Sequence, residues 1–175
     1  YWRDWSSDVC SSDLLLRSEK IFCWNTFFWL KLSSGGYPAV SKWAKKKKMN
    51  VTTLERMIVP MNIGKNHWAL GLVDFKRNQI AYYDSLSPNT VHSKFVEFIT
   101  QYVEAEYRAN GINEAPAFST VLVSPPQQSN SFDCGVFTCM TAECLANGRD
   151  WLDFDQSMIR DMRRKIALQI HNNSL

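Results

Sequence analysis

The stretch from His67 to Asp84, HWALGLVDFKRNQIAYYD, contains two apolar and aromatic runs separated by a short polar segment. The runs at 68–75 and 79–83 have the composition of β-strands, and the polar residues 76–78 between them are typical of a turn. The pattern predicts a β-hairpin. Antiparallel pairing about this turn predicts that His67 and Asp84 lie side by side, although a single bulge would shift the register.

Further elements are predicted on both sides of this hairpin. They are helices over 15–32 and 40–48 and a strand over 53–60 before it, and an amphipathic helix over 91–107, a strand over 120–124 and helices over 135–146 and 154–170 after it. Their order indicates a single α+β domain. A chain of 175 residues is long enough for one hydrophobic core.

The composition excludes several classes of protein. The net charge of +3 gives no basis for nucleic-acid binding. The chain contains no run of about 18 apolar residues, so we expect no membrane insertion. The run Lys45 to Lys48 fits a nuclear-import signal, but the solvated end of a helix is the favoured interpretation.

Five cysteines, an odd number, stand at positions 10, 23, 134, 139 and 144. Their spacing fits neither a disulfide framework nor a zinc knuckle, so we expect reduced thiols and no metal or other cofactor. Reduced thiols indicate an intracellular protein, nuclear or cytoplasmic.

The first fourteen residues, YWRDWSSDVCSSDL, show no clear periodicity and resemble a translated sequencing adapter. We therefore expect residues 1–14 to be a non-native segment and residues 15–175 to form the domain, with part of its N-terminal region missing.

A candidate nucleophile lies in QQSNSFDCGVF, residues 127–137, where a polar loop meets the predicted helix that begins near Gly135. Cys134 falls at the N-terminal edge of this helix, where unpaired N–H groups and the helix dipole favour negative charge. Such a setting can lower a thiol pKa from ~8.5 to about 3.5–7.5, which makes thiolate available near neutral pH. Gly135 would let a substrate carbonyl approach the backbone.

A cysteine nucleophile needs a base and a group that orients the base. Of the three histidines, His92 and His171 are predicted on polar helix faces, whereas His67 begins a strand. Asp84 would fix the tautomer of His67, and Gln127 or Gln128 could donate to an oxyanion. Each residue alone also fits an ordinary structural role. Together they favour a Cys-His-Asp hydrolase or acyl transferase, and a Cys/His metal scaffold is disfavoured by the spacing.

The same residues belong to an ordered set that resembles the SUMO-specific (sentrin-specific) cysteine proteases of ubiquitin-like proteins. The resemblance runs from about residue 22 to the C-terminus. Its motifs are Asn25-Thr26-Phe27-Phe28, Gly35-Gly36-Tyr37-Pro38-Ala39-Val40 with Trp43, Val59-Pro60, His67-Trp68, Tyr82-Tyr83-Asp84-Ser85, Pro126-Gln127-Gln128 and Asp133-Cys134-Gly135-Val136-Phe137.

This resemblance implies a papain-like α+β fold, with a central mixed or antiparallel sheet flanked by helices and the nucleophile at a helix N-terminus. It implies that Cys134 is the nucleophile, His67 the general base and Asp84 the residue that orients His67. It also selects Gln128 for the oxyanion hole.

The substrate implied by the resemblance is a SUMO-type modifier, cleaved after its C-terminal Gly-Gly by a monomeric enzyme. Trp68 would wall the narrow tunnel for the two glycines, and Phe27 and Gly64 would contact the folded body of the modifier. A passage that admits only glycine would give specificity without a side-chain pocket.

Two departures from the family pattern bear on this interpretation. Asn130 is followed by Ser131 where the family usually has glycine, and the family's N-terminal Trp-Leu-Asn-Asp segment is missing. The alternatives are therefore a protease for another ubiquitin-like modifier, such as NEDD8, and a truncated, non-catalytic binding module.

Overall fold

The computed structural model of the protein describes residues 20–171, which form a five-stranded sheet with helices against both faces. The strands are β1 (Ile21–Cys23), β2 (Arg56–Ile63), β3 (His67–Asp74), β4 (Gln79–Tyr83) and β5 (Ser119–Val121). The helices are α1 (Thr26–Gly35), α2 (Trp43–Lys46), α3 (Ser93–Ala109), α4 (Cys134–Ala146) and α5 (Ile159–His171). Short 3₁₀ turns occupy Tyr37–Ala39, Val51–Thr53 and Gln156–Met158.

The sheet is mixed, and its strands are arranged in sequence order. The three central strands are antiparallel, whereas β1 pairs in parallel with β2 and β5 in parallel with β4. This architecture confirms the predicted α+β class with a central mixed sheet. None of the described helices has the length and apolar character required to cross a bilayer.

Both faces of the sheet are buried, so the central strands are apolar along most of their length. On β2, Met57 and Val59 join the cluster that α1 and α3 cover, while Ile58 between them joins the cluster under α4. This division follows from the alternation of side chains along a strand. The helix that begins at Cys134 therefore lies on the face opposite α1 and α3.

The hairpin of β3 and β4 is present, but its register differs from the predicted one. Leu70 pairs with Tyr83 and Asp74 pairs with Gln79. If this register is extended beyond Leu70 to His67, residue 86 lies opposite His67. Asp84 is therefore a diagonal neighbour of His67 and not the directly paired residue that was predicted. Asn78 in the connecting turn has a φ of 52°, a left-handed conformation that fits a tight turn.

The beginning of the described chain corrects the predicted helix over 15–32. Residues Ile21–Cys23, expected within a helix over 15–32, form a strand that pairs with residues 56–58 of β2. Helix α1 begins only at Thr26, because the side chain of Asn25 accepts the Phe27 N–H at 3.1 Å and caps the helix. Residues 15–19 and the predicted boundary after residue 14 lie outside the described residues.

Several other predicted bounds shift by a few residues. The basic helix over 40–48 is reduced to Trp43–Lys46, and the strand expected over 53–60 runs over Arg56–Ile63. Helix α3 begins at Ser93 because Nδ1 of His92 accepts the Phe95 N–H at 3.1 Å. His92 is therefore a helix cap and does not lie on the polar face predicted for it.

Gly71 of β3 lies against the ring of Phe95 on α3, and this close approach requires a glycine. A Cβ at position 71 would lie 2.1 Å from Cζ of Phe95, whose ring is fully buried and also contacts Trp29. We expect Gly71→Ala to lower the free energy of unfolding by about 1–3 kcal/mol, as overpacking of a core does. Urea unfolding followed by circular dichroism measures this loss.

The companion substitution Phe95→Leu tests the cause. It shortens the side chain that obstructs position 71, so the double variant should lose less stability than the sum of the two single variants. Strictly additive losses would show that the contact between position 71 and the Phe95 ring is not responsible.

Candidate active site

His67 and Asp84 meet at one end of the central hairpin. His67 is the first residue of β3, and Asp84 directly follows the last residue of β4. Nε2 of His67 lies 2.9 Å from Oδ1 of Asp84, so the contact predicted from the sequence is present despite the shifted register. Both residues sit at strand ends, which hold a side chain more rigidly than a free loop does.

The carboxylate of Asp84 is buried and accepts hydrogen bonds from three groups. Besides His67, the hydroxyl of Tyr82 donates to Oδ2 and the N–H of Leu86 donates to Oδ1, each at 2.9 Å. Burial opposes ionisation, but the bonds from His67, Leu86 and Tyr82 outweigh it and hold the pKa of Asp84 below its ordinary value. The residue is therefore a fixed anion beside the imidazole.

The second ring nitrogen of His67 has a different environment. Among residues 20–171 nothing hydrogen-bonds to Nδ1, although this atom is buried. When Nε2–H donates to the ionised Asp84, Nδ1 carries the lone pair and can accept a proton. The arrangement fits an imidazole that is oriented at one nitrogen and reserved for proton transfer at the other.

Cys134 is the first residue of α4, as expected for a thiol at a helix N-terminus. It is buried, yet the apolar clusters of the described chain include its neighbours Val136 and Phe137 and not Cys134 itself. Helix α4 packs against β3, the strand that begins with His67. The first N–H groups of a helix have no carbonyl partner within it, so this position also offers donors to an anion.

The two glutamines before Cys134 differ in what their amides bind. Gln127 donates from Nε2 to the carbonyls of Asp84, at 3.0 Å, and Pro125, at 2.9 Å, which uses both of its N–H groups. Gln128 is buried and accepts from the Ser85 hydroxyl at 2.6 Å. Its Nε2 donates to the carbonyl of Asn130, which leaves a second N–H for another acceptor. This difference favours Gln128 as a donor to an oxyanion.

The three residues expected to contact substrate occupy different settings. Trp68 is half-buried on β3 and pairs with Asn62 of β2. Phe27, near the start of α1, is 44% exposed. Gly64 has a φ of 60° in the turn between β2 and β3, which gives it a structural reason for being glycine.

Sequence reasoning missed the roles of Tyr82 and Ser85. Both stand in the quoted motif Tyr82-Tyr83-Asp84-Ser85, but only the hydrogen bonds of the folded chain assign Tyr82 to Asp84 and Ser85 to Gln128. Within residues 20–171 no group of three or more His, Cys, Asp and Glu side chains is arranged to hold a metal ion.

Comparison with known proteins connects this geometry to one family. Residues 12–175 match the model of the Ulp1 protease family, C-terminal catalytic domain. Ubiquitin-like-specific protease 1 of Saccharomyces cerevisiae is 35% identical over 180 residues, covering 99% of this chain and 28% of the relative. Human Sentrin-specific protease 2 is 31% identical over 156 residues, covering 86% of this chain and 26% of the relative.

A solved structure agrees with these relatives. The X-ray structure of the C-terminal Ulp1 protease domain, in complex with Smt3, the yeast ortholog of SUMO, superposes with a TM-score of 0.77 at 35% identity. The superposition covers 89% of this chain and 69% of that one. The chain thus spans about a quarter of the length of the curated relatives, which are 28% and 26% covered.

The lowered pKa of Asp84 predicts how its contribution to stability depends on pH. A carboxylate with a depressed folded pKa stabilises the folded state fully above the unfolded value, about 3.9, and this contribution is lost as pH falls through the folded value. We therefore expect the stability advantage of wild type over Asp84→Asn to decrease progressively as pH falls below about pH 4.

Urea unfolding at a series of pH values measures this difference. Asp161→Asn, which removes an exposed carboxylate on α5, is the matched control for the loss of one charge. A difference between wild type and Asp84→Asn that stays constant from pH 6 to pH 2 would contradict the prediction.

Proposed function

Because the chain belongs to the Ulp1 protease family, as a C-terminal catalytic domain, we propose that it is a cysteine protease that cleaves after the C-terminal Gly-Gly of a SUMO-type modifier. The reactions would be deconjugation of isopeptide-linked modifiers and maturation of modifier precursors. The names of the relatives and the complex of Ulp1 with Smt3 support this substrate class.

One observation carries the proposal. Nε2 of His67 binds Asp84 at 2.9 Å while Nδ1 is buried without a hydrogen-bond partner among residues 20–171. An imidazole in this state is a general base with its tautomer already fixed. Cys134, at the start of the helix that packs on β3, is the nucleophile that such a base would serve.

In the first step, Nδ1 of His67 accepts the proton of the Cys134 thiol, and the sulfur attacks the carbonyl carbon of the last glycine. The imidazolium that forms is stabilised by the carboxylate of Asp84. The negative charge that develops on the carbonyl oxygen is met by the available amide N–H of Gln128 and by backbone N–H groups at the start of α4.

In the second step the tetrahedral intermediate collapses. The carbon–nitrogen bond breaks, and His67 gives its proton to the leaving amine, which is a lysine side chain in a conjugate or a backbone amine in a precursor. A thioester between Cys134 and the glycine remains. Water, activated by the same imidazole, hydrolyses the thioester and regenerates the thiol.

The remaining predicted residues would bind the substrate. We assign Trp68, next to the base, to the wall of the glycine passage, because a flat ring there would exclude any residue with a side chain. Phe27 presents an exposed ring at the start of α1 and, with Gly64, would contact the folded body of the modifier.

The proposal is tested with SUMO, NEDD8 and ubiquitin that carry a fluorogenic group on the C-terminal glycine. We expect turnover of the SUMO conjugate and its loss in Cys134→Ser, with affinity for SUMO kept within about threefold because only one atom changes. Turnover of NEDD8 alone would favour the alternative modifier. Turnover of ubiquitin alone would contradict the proposal. So would binding of SUMO with neither turnover nor labelling of Cys134 by a SUMO vinyl sulfone.

The two glutamines supply a matched test of the oxyanion hole. Gln128→Ala should lower kcat about 10²-fold, since removal of one oxyanion donor has that effect in other enzymes. Gln127→Ala should lower kcat far less, because both of its N–H groups bind backbone carbonyls. Steady-state kinetics on the fluorogenic SUMO conjugate compares the two variants, and equal losses would contradict the assignment of Gln128.

A further inference from the structure

The carboxylate of Asp133, directly before the nucleophile, is buried and receives hydrogen bonds from three different segments. Oδ1 accepts from Nε of Arg163 at 3.0 Å and from Nη2 of the same side chain at 2.5 Å. Oδ2 accepts from Asn130 at 2.6 Å and from Gln156 at 2.7 Å. No member of this cluster takes part in the proposed proton transfers.

The position of Asp133 makes these contacts unusual. An aspartate before the first residue of a helix commonly accepts an N–H of the first turn, but the Asp133 side chain makes no such cap. Its carboxylate instead turns towards Arg163, which lies thirty residues further along the chain on α5. Initiation of α4 therefore does not explain why an acid stands here.

The same cluster holds the loop before the nucleophile. Oε1 of Gln156 accepts the N–H of Ser129 at 2.8 Å while its Nε2 binds Asp133. Oδ1 of Asn130 accepts the N–H groups of Phe132 and Asp133, each at 3.1 Å. The turn between residues 129 and 133 is thus fixed from within by the side-chain amide of Asn130. From outside it is fixed by the side chains of Gln156 and Arg163, which follow α4 in the chain.

The charges matter as much as the geometry. An ionised carboxylate one residue from Cys134 opposes a second negative charge on the sulfur. A guanidinium carries a fixed positive charge, and that of Arg163 binds the carboxylate through a fork of donors, so it offsets the negative charge of Asp133. Asn130 and Gln156, the other two partners of the carboxylate, are neutral.

We propose that Arg163 and Gln156 are positioning residues for the nucleophile: both hold the 129–133 turn, and Arg163 offsets the charge of Asp133 so that thiolate can form at Cys134. This inference rests on the proposed function, since it concerns the same thiol. It makes α5 a part of the catalytic apparatus, although no residue of α5 is placed against the substrate.

The test measures the thiol directly, by the rate at which iodoacetamide alkylates Cys134, followed by peptide mass spectrometry from pH 5 to pH 10. In Arg163→Met the carboxylate is left without its cation. We expect alkylation at pH 7 to slow about tenfold and the whole profile to move to higher pH. On the fluorogenic SUMO conjugate, kcat should fall about tenfold while KM changes less than about twofold.

Three further variants separate charge from packing. Asp133→Asn/Arg163→Met removes both charges, so its alkylation rate should recover to within about threefold of wild type. Arg163→Lys keeps the charge but loses the fork of donors, so its alkylation rate should lie between the rates of wild type and Arg163→Met. Gln156→Glu keeps an acceptor for Ser129 but adds a second carboxylate, and it should slow alkylation with Arg163 intact. Arg164→Met, which removes the neighbouring exposed cation of α5, is the control and should match wild type.

The outcomes distinguish the inference from the function on which it rests. Unchanged alkylation in both Arg163→Met and Gln156→Glu would overturn the inference, as would a double variant as slow as Arg163→Met, which indicates a packing role. If Arg163→Met does not fold, unchanged alkylation in Gln156→Glu, or alkylation of the double variant more than about threefold slower than wild type, would overturn the inference. Wild-type protein whose Cys134 follows the expected profile but that cleaves no modifier would overturn only the proposed function.

Discussion

The candidate site depends on the two residues that follow β4, Asp84 and Ser85, because they are hydrogen-bonded both to His67 and to the loop before Cys134. The side chain of Asp84 binds His67, and its carbonyl accepts from Gln127. The carbonyl of Ser85 accepts the N–H of Gln128 at 2.9 Å, and the Ser85 hydroxyl binds the side chain of the same glutamine. Segments more than forty residues apart are thereby held in one arrangement.

This junction is rigid because the strands that lead to it are buried on both faces. Leu70 and Leu72 of β3 face α4, while Val73, between Leu72 and the end of the strand, faces α3. A strand clamped between two layers has little freedom to slide, and a slip of one residue would exchange its two faces. Because His67 is the first residue of the same strand, its backbone position is fixed as well.

The elements that were predictable from the sequence are those with strong local signals. The hairpin has two strand-like runs around a polar turn, and α3 and α4 have helical spacing, so their existence followed from periodicity. The register of the hairpin did not, because it is set by backbone conformation in the turn, where Asn78 is left-handed. The strand at Ile21–Cys23 was also hidden, since its pairing partner lies more than thirty residues away on β2.

The site divides in the same way. Cys134, His67 and Asp84 could be proposed from the sequence because each lies at the end of a predictable element. The choice of Gln128 came only from the family resemblance. Tyr82 and Ser85 belong to the motif at residues 82–85, but the sequence alone assigned them no role. The cluster around Asp133 could not be predicted, since nothing in the sequence links an aspartate before one helix to an arginine on the next.

Asp84, within the proposed machinery, and Asp133, beside it, are buried carboxylates whose partners suit different tasks. Asp84 binds an imidazole, whose charge changes during the proposed reaction, so the attraction between the two is strongest when the proton has left the thiol. Asp133 binds a guanidinium, whose charge does not change. An exchange of these partners would fail at both positions: a permanent cation at Asp84 could not accept a proton, and a titratable one at Asp133 would make the field at the thiol vary with pH. In the proposed mechanism, the pairing of histidine with Asp84 and of arginine with Asp133 thus follows from the chemistry required at each carboxylate.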